Sequence, residues 1–497
     1  MFDLLVIGGG INGTGIARDA AGRGLKVLLC EKDDLAEHTS SSSTKLIHGG
    51  LRYLEYYDFA LVRKALLERE TLLRAAPHII WPMRFVLPHH KELRPAWLIR
   101  LGLFLYDHIG GRKTLPATKV LRRATSDKFK PLEGRFNLAF EYSDCWVDDA
   151  RLTVLNAVDA GDKGAEVVVE TECVALKRDD ESWTALLRDK SGKERTVAAR
   201  TIVNAAGPWV DDVVDVAFEV DKRQRVRLVK GSHIIVKKIF SGDHAYFFQN
   251  ADERIIFAIP YEDRNFTLIG TTDVPFTGDN NDVAISQDEI EYLCNAASEY
   301  LFDDIAPEDV VSTYSGVRPL YDDQSADASA VTRDYVLSLE AEGGAPILSV
   351  YGGKITTYRK LAEHALKILK PFLSSAEKPW TETACLPGGD MPNADFDAFF
   401  ESQQQRYDWL PKEHLHRMLR TYGTRLEQVI GGATGLGDMG RNYGAGLYQA
   451  EVDYLRDYEY ARKADDILYR RTKLGLHMTA DEVSTFKAAF SVSSKVK

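Results

Sequence analysis

Apolar residues run along this chain in stretches whose length and period change repeatedly, and each change marks an element. Residues 4–7 form a short continuous apolar run, as expected for a strand buried on both faces. Gly8-Gly9-Gly10-Ile11-Asn12-Gly13 follows and opens a helix reaching about Arg23, where Gly22 and Gly24 can supply a left-handed cap. Val27–Cys30 reads as the next strand, closing on Glu31, so the chain opens as a βαβ unit. Leu61, Ala65, Leu66, Leu72 and Leu73 repeat at helical spacing, and Pro77 stops that helix. Residues 82–142 are a basic, aromatic, proline-dotted insertion. Strand character returns at 165–169, 173–176, 183–187 and 201–204, the last running into Ala205-Ala206-Gly207-Pro208-Trp209.

Residues 226–236, 254–260 and 266–270 alternate, which predicts an antiparallel sheet belonging to a second domain. Buried-strand character resumes at 335–338 and 347–351. Gly352-Gly353 and a helix over about 356–370, stopped by Pro371, come next. Pro387-Gly388-Gly389 reads as a linker. Beyond it Leu415, Met418, Leu419 and Tyr422 share one helical face. Residues 448–471 predict one or two more helices, and Thr479 with Glu482 has the spacing of a capping box. The fold class expected is α/β. A discontinuous, split Rossmann-like nucleotide-binding domain (1–80, 145–215, 331–386) holds an inserted mixed or antiparallel-sheet substrate domain (81–144, 216–330). A C-terminal helical domain (387–497) closes the chain.

The length of 497 residues suits about three domains. The formal charge of −11 argues against a dedicated nucleic-acid binder. Five scattered cysteines without metal or redox spacing fit a reducing cytosol. No run reaches the ~20 apolar residues of a membrane span, and the N-terminus lacks signal-peptide character.

The strongest chemical signal is Gly8-x-Gly10-x-x-Gly13 between a strand and a helix. Gly8 allows the tight turn, Gly10 lets a pyrophosphate approach the backbone, and Gly13 lets helix and strand pack. The helix start offers free N–H groups to phosphate, and Glu31 is placed for a ribose hydroxyl. Two distant segments favour FAD over NAD: the small-residue turn ending at Gly207, and a second helix start at Gly352-Gly353-Lys354-Ile355-Thr356-Thr357. The positive end of that helix can stabilise an anionic reduced flavin.

Further blocks run in order along nearly the whole chain. They are Thr39–Lys45 with Leu46-Ile47-His48-Gly49-Gly50-Leu51-Arg52-Tyr53-Leu54-Glu55, residues 141–151, Lys230-Gly231-Ser232-His233, Gly270-Thr271-Thr272-Asp273, residues 314–320 and residues 353–359. Together they resemble the FAD-dependent glycerol-3-phosphate dehydrogenases, most nearly the bacterial aerobic type; Ile355, where that family has leucine, is a mild departure. The resemblance implies a glycine-oxidase-like flavoprotein fold. It also implies oxidation of sn-glycerol 3-phosphate to dihydroxyacetone phosphate by hydride transfer from C2 to FAD, with electrons passing to a membrane quinone. FAD contacts are expected from Gly8, Gly10, Asn12, Gly13, Glu31, Thr39, Ser40, Ser41, Lys45, Leu46, His48, Gly49, Gly50, Val174, Gly207, Trp209, Gly353, Lys354 and Thr356. Substrate contacts are expected from Arg52, Tyr53, Thr271, Arg318 and Arg333.

A phosphate dianion needs cationic forks, which Arg318, Arg333 and Arg52 can supply. Hydride loss needs a base for the substrate hydroxyl, and both His233 and His48 suit, with Arg318 able to share the role. Lys354 is the electrostatic partner expected for flavin or substrate. Residues 93–113 mix Trp97, Leu98, Leu101 and Phe104 with Lys91, Arg94, Arg100, Arg112 and Lys113. Arg122, Arg123, Lys128 and Lys130 follow. That composition fits an interfacial helix on an anionic lipid surface, or equally a core helix with snorkelled arginines. The family implies a cytoplasmic enzyme peripheral to the inner membrane. Homodimer formation is left open. The rival readings are an oxygen-using glycerol-3-phosphate oxidase, or a non-catalytic partner-binding protein on the same FAD fold.

Overall fold

The structure is a computed structural model describing residues 1–111, 114–218, 226–250, 252, 254–322, 334–373 and 377–493. Arg333, Arg112 and Lys113 lie outside the described residues.

The first sheet is organised around Phe2–Ile7, which pairs in parallel with Val27–Cys30 on one side and Glu194–Asn204 on the other. Glu166–Val168 extends it beyond Val27–Cys30, and Ile347–Tyr351 extends it beyond Glu194–Asn204; both additions are parallel. Parallel strands must be covered on both faces, which explains their unbroken apolar runs. Helices Ile11–Gly22, Asp149–Asp162 and Tyr358–Leu369 contribute to one core with Leu4, Val6, Val27 and Leu29. An antiparallel arm of Thr171–Arg178 and Trp183–Asp189 hangs from Glu194–Asn204.

The second sheet is mainly antiparallel. Its spine runs Val226–Lys237, Phe266–Gly270, Ile255–Tyr261, His244–Gln249, Ile80–His89, Leu138–Val147, Leu46–Ile47. Val310–Tyr321 lies along the other side of Val226–Lys237. The prolines of the insertion fit this arrangement. Pro82 and Pro88 flank Arg84–Val86, the stretch of their strand paired on both sides, so neither removes a donor from the doubly bonded ladder.

One sequence expectation changes and two are refined. The 387–389 stretch is buried contact rather than open linker. A side chain at Gly388 would lie 2.3 Å from the Tyr422 carbonyl oxygen, one at Gly389 equally close to that of Ala75, and one at Gly423 1.9 Å from that of Gly388. Three glycines there let backbone meet backbone where the helical region joins the rest. The helix Tyr358–Leu369 ends just before Pro371, as expected, and Pro371 takes the second position of a short 3-10 turn, Lys370–Phe372, within the first turn where N–H groups have no partner in the turn. Residues 448–471 divide into an α-helix, Gln449–Tyr458, and a π-helical turn, Asp466–Arg471. The capping box of Thr479 and Glu482 is present, with each residue accepting from the other's backbone N–H.

The C-terminal region is held to the first sheet by buried ion pairs. Arg471 grips both carboxylate oxygens of Asp34 at 2.6 and 2.7 Å, and Arg151 pairs with Glu459.

Candidate active site

The glycine motif builds a cradle by close approach. Gly8 has φ +112°, and a Cβ there would sit 2.4 Å from the Ala205 carbonyl oxygen. A Cβ at Gly13 would lie 2.0 Å from the Gly8 oxygen, so strand, turn and helix interlock only with glycine at both positions. Gly10 differs: its nearest neighbour would be the Ser40 hydroxyl at 3.0 Å, because it faces a cavity of about 440 Å³. Glu31, Thr39, Ser40, Gly207, Trp209 and Gly353 line that cavity with the motif. The Glu31 carboxylate accepts from Gly9 N–H at 2.6 Å and Asp33 N–H at 2.8 Å, while burial raises its pKa. Asn12 donates to the Gly352 oxygen at 3.0 Å, and its own buried carbonyl oxygen has no protein partner. An open Gly10 and a helix start aimed into the cavity fit a dinucleotide pyrophosphate, and the orphaned Asn12 oxygen, an acceptor, can take a donor from a bound ligand.

The remaining expected cofactor residues divide. Gly207, at φ +58°, and Trp209 reach the cavity, with Lys32 Nζ 3.6 Å from the centre of the Trp209 ring. Val174 sits at the pairing irregularity between Cys173 and Ala175. Lys45 points elsewhere: its ammonium is buried against Asp149 at 2.8 Å and the Ser41 oxygen at 3.0 Å. Leu46 is core, packed with Val62, Leu66 and Tyr106.

On the second sheet, Val226–Lys237 and Val310–Tyr321 form a ladder that explains the substrate-side motifs. Directly opposed residues share a face. His233 faces Tyr314, Gly231 faces Gly316, and Val229 faces Arg318. The glycine pair removes side chains from the middle of that face. Arg318 lies across the gap, its Nη2 where it would be 2.5 Å from a Cβ on Gly231. Arg318 donates to the Thr271 hydroxyl at 3.3 Å and ion-pairs with Asp273. Residues 39–44 cover the same ladder. Thr39 donates to the Val317 oxygen at 2.6 Å, Ser42 abuts Gly316, and Tyr314 donates to the Ser43 oxygen at 2.8 Å.

His233 is fully enclosed there. Its ring stacks on Tyr314 at 4.7 Å, and its Nε2 lies 3.0 Å from the Thr44 hydroxyl. Burial, then Arg318 and Lys45, hold it well below the usual histidine pKa. His48 is only half-buried, and its backbone N–H donates to the Thr356 hydroxyl at 3.3 Å. Burial also lowers its pKa; Asp144 opposes the shift, while Lys354 and Arg69 add to it. Lys354 Nζ lies 3.6 Å from the centre of the Tyr53 ring. Arg52 meets the Tyr56 hydroxyl at 3.4 Å, at the partly exposed rim. His48, Tyr53, Lys354 and Thr356 therefore gather where the 46–53 segment meets the helix start after Gly353.

Sequence reasoning missed four acidic residues that hold this apparatus. Asp149 anchors Lys45 and the Ser43 hydroxyl, Asp273 engages Arg318, and Asp144 lies behind His48. Glu289 accepts from the hydroxyls of Ser232 at 2.9 Å and Thr272 at 2.8 Å, clamping the strand that carries His233 to the loop that carries Thr271. Burial alone would raise the Glu289 pKa. Lys230, the Ser286 N–H and the two hydroxyls outweigh it and lower it to about 2. Its only sequence trace was Ser286-x-x-Glu289, which reads as an ordinary capping box.

Residues 3–359 match the FAD dependent oxidoreductase family, and residues 379–495 match the C-terminal domain of alpha-glycerophosphate oxidase. The chain is 53% identical to D-erythritol 1-phosphate dehydrogenase of Brucella abortus, covering 99% of this chain and 98% of that protein. It is 52% identical to glycerol-3-phosphate dehydrogenase of Pseudomonas aeruginosa (97% and 93% covered). Against the aerobic glycerol-3-phosphate dehydrogenase of Escherichia coli the identity is 49% (97% and 96% covered). Among solved structures, the glycerol-3-phosphate dehydrogenase of Bacillus halodurans complexed with FAD superposes with TM-score 0.77 at 25% identity, covering 100% of this chain and 95% of that one. Glycine oxidase of Bacillus cereus shares the fold at TM-score 0.55 and 18% identity, covering 76% and 99%. FAD is the cofactor the cradle takes. The chain belongs to the FAD-dependent oxidoreductases of glycine-oxidase-like fold, in the group that carries the alpha-glycerophosphate oxidase type of C-terminal domain.

Proposed function

We propose that this chain oxidises sn-glycerol 3-phosphate to dihydroxyacetone phosphate and passes the electrons to a membrane quinone. The observation that carries the reading is the join of two half-sites: the dinucleotide cradle and the glycine-floored ladder holding Arg318 meet through residues 39–48. Relatives about half identical over the full length carry the glycerol-3-phosphate dehydrogenase name. Bound FAD supplies the two-electron acceptor for the C2 hydride. Arg318 and the Thr271 hydroxyl hold the phosphate dianion, which competes with Asp273 for the guanidinium; Arg52 and Arg333 are the further cations assigned to it. His48, open on one side and kept neutral by its burial, accepts the C2 hydroxyl proton. Lys354 steadies the negative charge that develops on that oxygen. His233, enclosed and bonded to Thr44, holds the 39–45 segment on the ladder.

Sheet membership supports the three-part division 1–80 with 145–215 and 331–386, 81–144 with 216–330, and 387–497, with Leu46–Ile47 an excursion into the second sheet. Helix Ala96–Ile109 supports a peripheral membrane site. Its inner face buries Leu103 and Tyr106, while Trp97, Leu101 and Phe104 stand 68%, 47% and 55% exposed beside exposed Arg94 and Arg100. No helix among the described residues is long and apolar enough to cross a membrane. Arg123 does not belong to that surface, since it donates to the Phe136 and Leu132 oxygens; Lys128 pairs with Glu141. Nearby helix Phe59–Ala75 sends Arg63 and Lys64 into a cleft of about 790 Å³ where these two, Lys360, Lys367, Lys370 and Lys378 outnumber Glu68, Glu363 and Glu377. Such a basic excess suits anionic headgroups.

Anaerobic mixing of the holoprotein with glycerol 3-phosphate tests the reaction: the flavin absorbance should bleach within one turnover. Turnover with a quinone analogue should exceed that with oxygen; the reverse order would assign an oxidase. A second substrate is favoured by the 53% identity to D-erythritol 1-phosphate dehydrogenase. Comparing kcat/KM for the two phosphates decides which polyol the site is built for.

A further inference from the structure

Behind the His48-Gly49-Gly50 turn lies a buried polar cluster that the reaction described above does not use. The Tyr106 hydroxyl accepts from the Gly49 N–H at 2.7 Å and shares its proton with the Asp144 carboxylate, whose oxygens are 2.8 and 2.9 Å away. Arg69 closes the cluster, donating to Asp144 at 2.6 Å and to the Ser143 oxygen at 2.9 Å. Tyr106, Asp144 and Arg69 are each at most 3% exposed. A buried tyrosine hydroxyl and a buried ion pair are costly in a core that could be apolar, so their orientation toward one backbone amide calls for a reason.

The turn itself supplies it. Gly49 has no room for a side chain: a Cβ would lie 2.5 Å from Leu66 and 2.7 Å from the Tyr106 hydroxyl. Gly50 is left-handed at φ +74°. Two consecutive glycines leave the backbone free to adopt many conformations, and packing alone cannot fix the peptide planes. The Tyr106 hydroxyl fixes one plane, and Asp144 and Arg69 fix the hydroxyl. On the other side of the turn the His48 N–H is fixed by Thr356.

We propose that Tyr106 is a positioning residue for the reaction: held by Asp144 and Arg69, it sets the plane of the His48–Gly49 peptide and thereby the place of the His48 ring beside the flavin. This rests on the reading that the 48–50 turn borders the flavin ring. Tyr106→Phe keeps the ring packing and removes only the hydroxyl, leaving the Gly49 N–H buried without an acceptor. The FAD-loaded variant should show a changed visible flavin spectrum and midpoint potential. Its kcat for glycerol 3-phosphate should fall about tenfold, with KM within twofold, as for one buried bond left unmade. His48→Asn is the companion variant and should also alter the flavin spectrum. If His48→Asn changes it and Tyr106→Phe leaves spectrum, potential and kcat at wild-type values, the positioning role is wrong while the turn's location stands. If neither variant touches the flavin, the turn does not border the ring, and both readings fall. Should Tyr106→Phe not fold, hydrogen exchange on the wild-type holoprotein decides. The Gly49 amide should be protected at least a hundredfold over a free amide, and fast exchange there overturns the proposal.

Discussion

At the end of the cavity that carries the glycine motif, Gly8 and Gly13 set the geometry by close approach to backbone atoms that cannot move aside, while Gly10 keeps space open for ligand. At the proposed substrate end the precision comes from residues gathered across the sequence: Thr44, Gly231, His233, Thr271, Tyr314 and Arg318, held by Asp273 and Glu289. The first design tolerates almost no substitution and carries a local signature. The second can be retuned one residue at a time, which suits a fold whose relatives include dehydrogenases of both a three-carbon and a four-carbon polyol phosphate.

The contrast can be broken most severely at Gly13. Gly13→Val should yield no flavin-loaded protein at all, because its Cβ would overlap the Gly8 carbonyl. Gly10→Ala should fold and yet bind FAD weakly, since it faces space meant for ligand; flavin absorbance and thermal melting separate the two. If Gly10→Ala retained FAD as wild type does, the cavity would not be the pyrophosphate site.

Next in size is Arg318→Ala. Losing a charge-assisted contact to a dianion costs ~2–5 kcal/mol, or roughly thirtyfold and more in kcat/KM. Lysine at the same position should rescue only part, lacking the planar fork. The loss should be specific to the phosphorylated substrate; equal loss on free glycerol would move Arg318 from phosphate to the reacting carbon.

The histidines give a sharper internal test. His48→Ala should lower turnover without lowering the melting temperature much. His233→Ala, which removes the partner of the Thr44 hydroxyl and the ring stacked on Tyr314, should do the opposite. Should the pattern invert, the base is His233.

At the surface, replacing Trp97, Leu101 and Phe104 together with Gln should weaken sedimentation with anionic vesicles about tenfold, consistent with partial burial of groups worth ~1.5–3 kcal/mol each when fully buried. Dye-coupled turnover in solution should stay within twofold. Equal vesicle binding by the variant would return the helix to an ordinary surface role.

The smallest effect expected is on acid stability. The folded Glu289 pKa of about 2 lies below its ordinary 4.5, so its carboxylate stabilises the fold fully above about pH 4.5 and progressively less as pH falls toward 2. The melting-temperature gap between wild type and Glu289→Gln should therefore narrow over that window. A gap that widened on acidification would mean the clamp acts through the protonated acid.

Legibility in the sequence followed the same contrast. The βαβ opening, the cradle and most strands could be read from local runs, because their partners are adjacent or their spacing is short. Asp149 was not readable as the partner of Lys45, since 104 residues separate them and nothing in either neighbourhood signals the pairing. Gly388 and Gly389 had the composition of a linker, and only the arrival of the Tyr422 and Ala75 carbonyls reveals why no Cβ is allowed there. Lys45 sits in a family block, and nothing in that block signals that its ammonium is buried against a carboxylate.

The buried pair Arg151–Glu459 also sets a clock on synthesis. Arg151 lies at the start of the helix packed on the first sheet, and its partner is made 308 residues later. At about 5–20 residues per second, a ribosome needs roughly 15–60 s to cover that interval. Strand Ile347–Tyr351, which completes the parallel sheet beside Glu194–Asn204, also arrives late. Through that interval the nascent chain holds a guanidinium meant for the interior and a sheet with an open edge. The helix beside the first sheet therefore cannot complete this ion pair until residue 459 has been made.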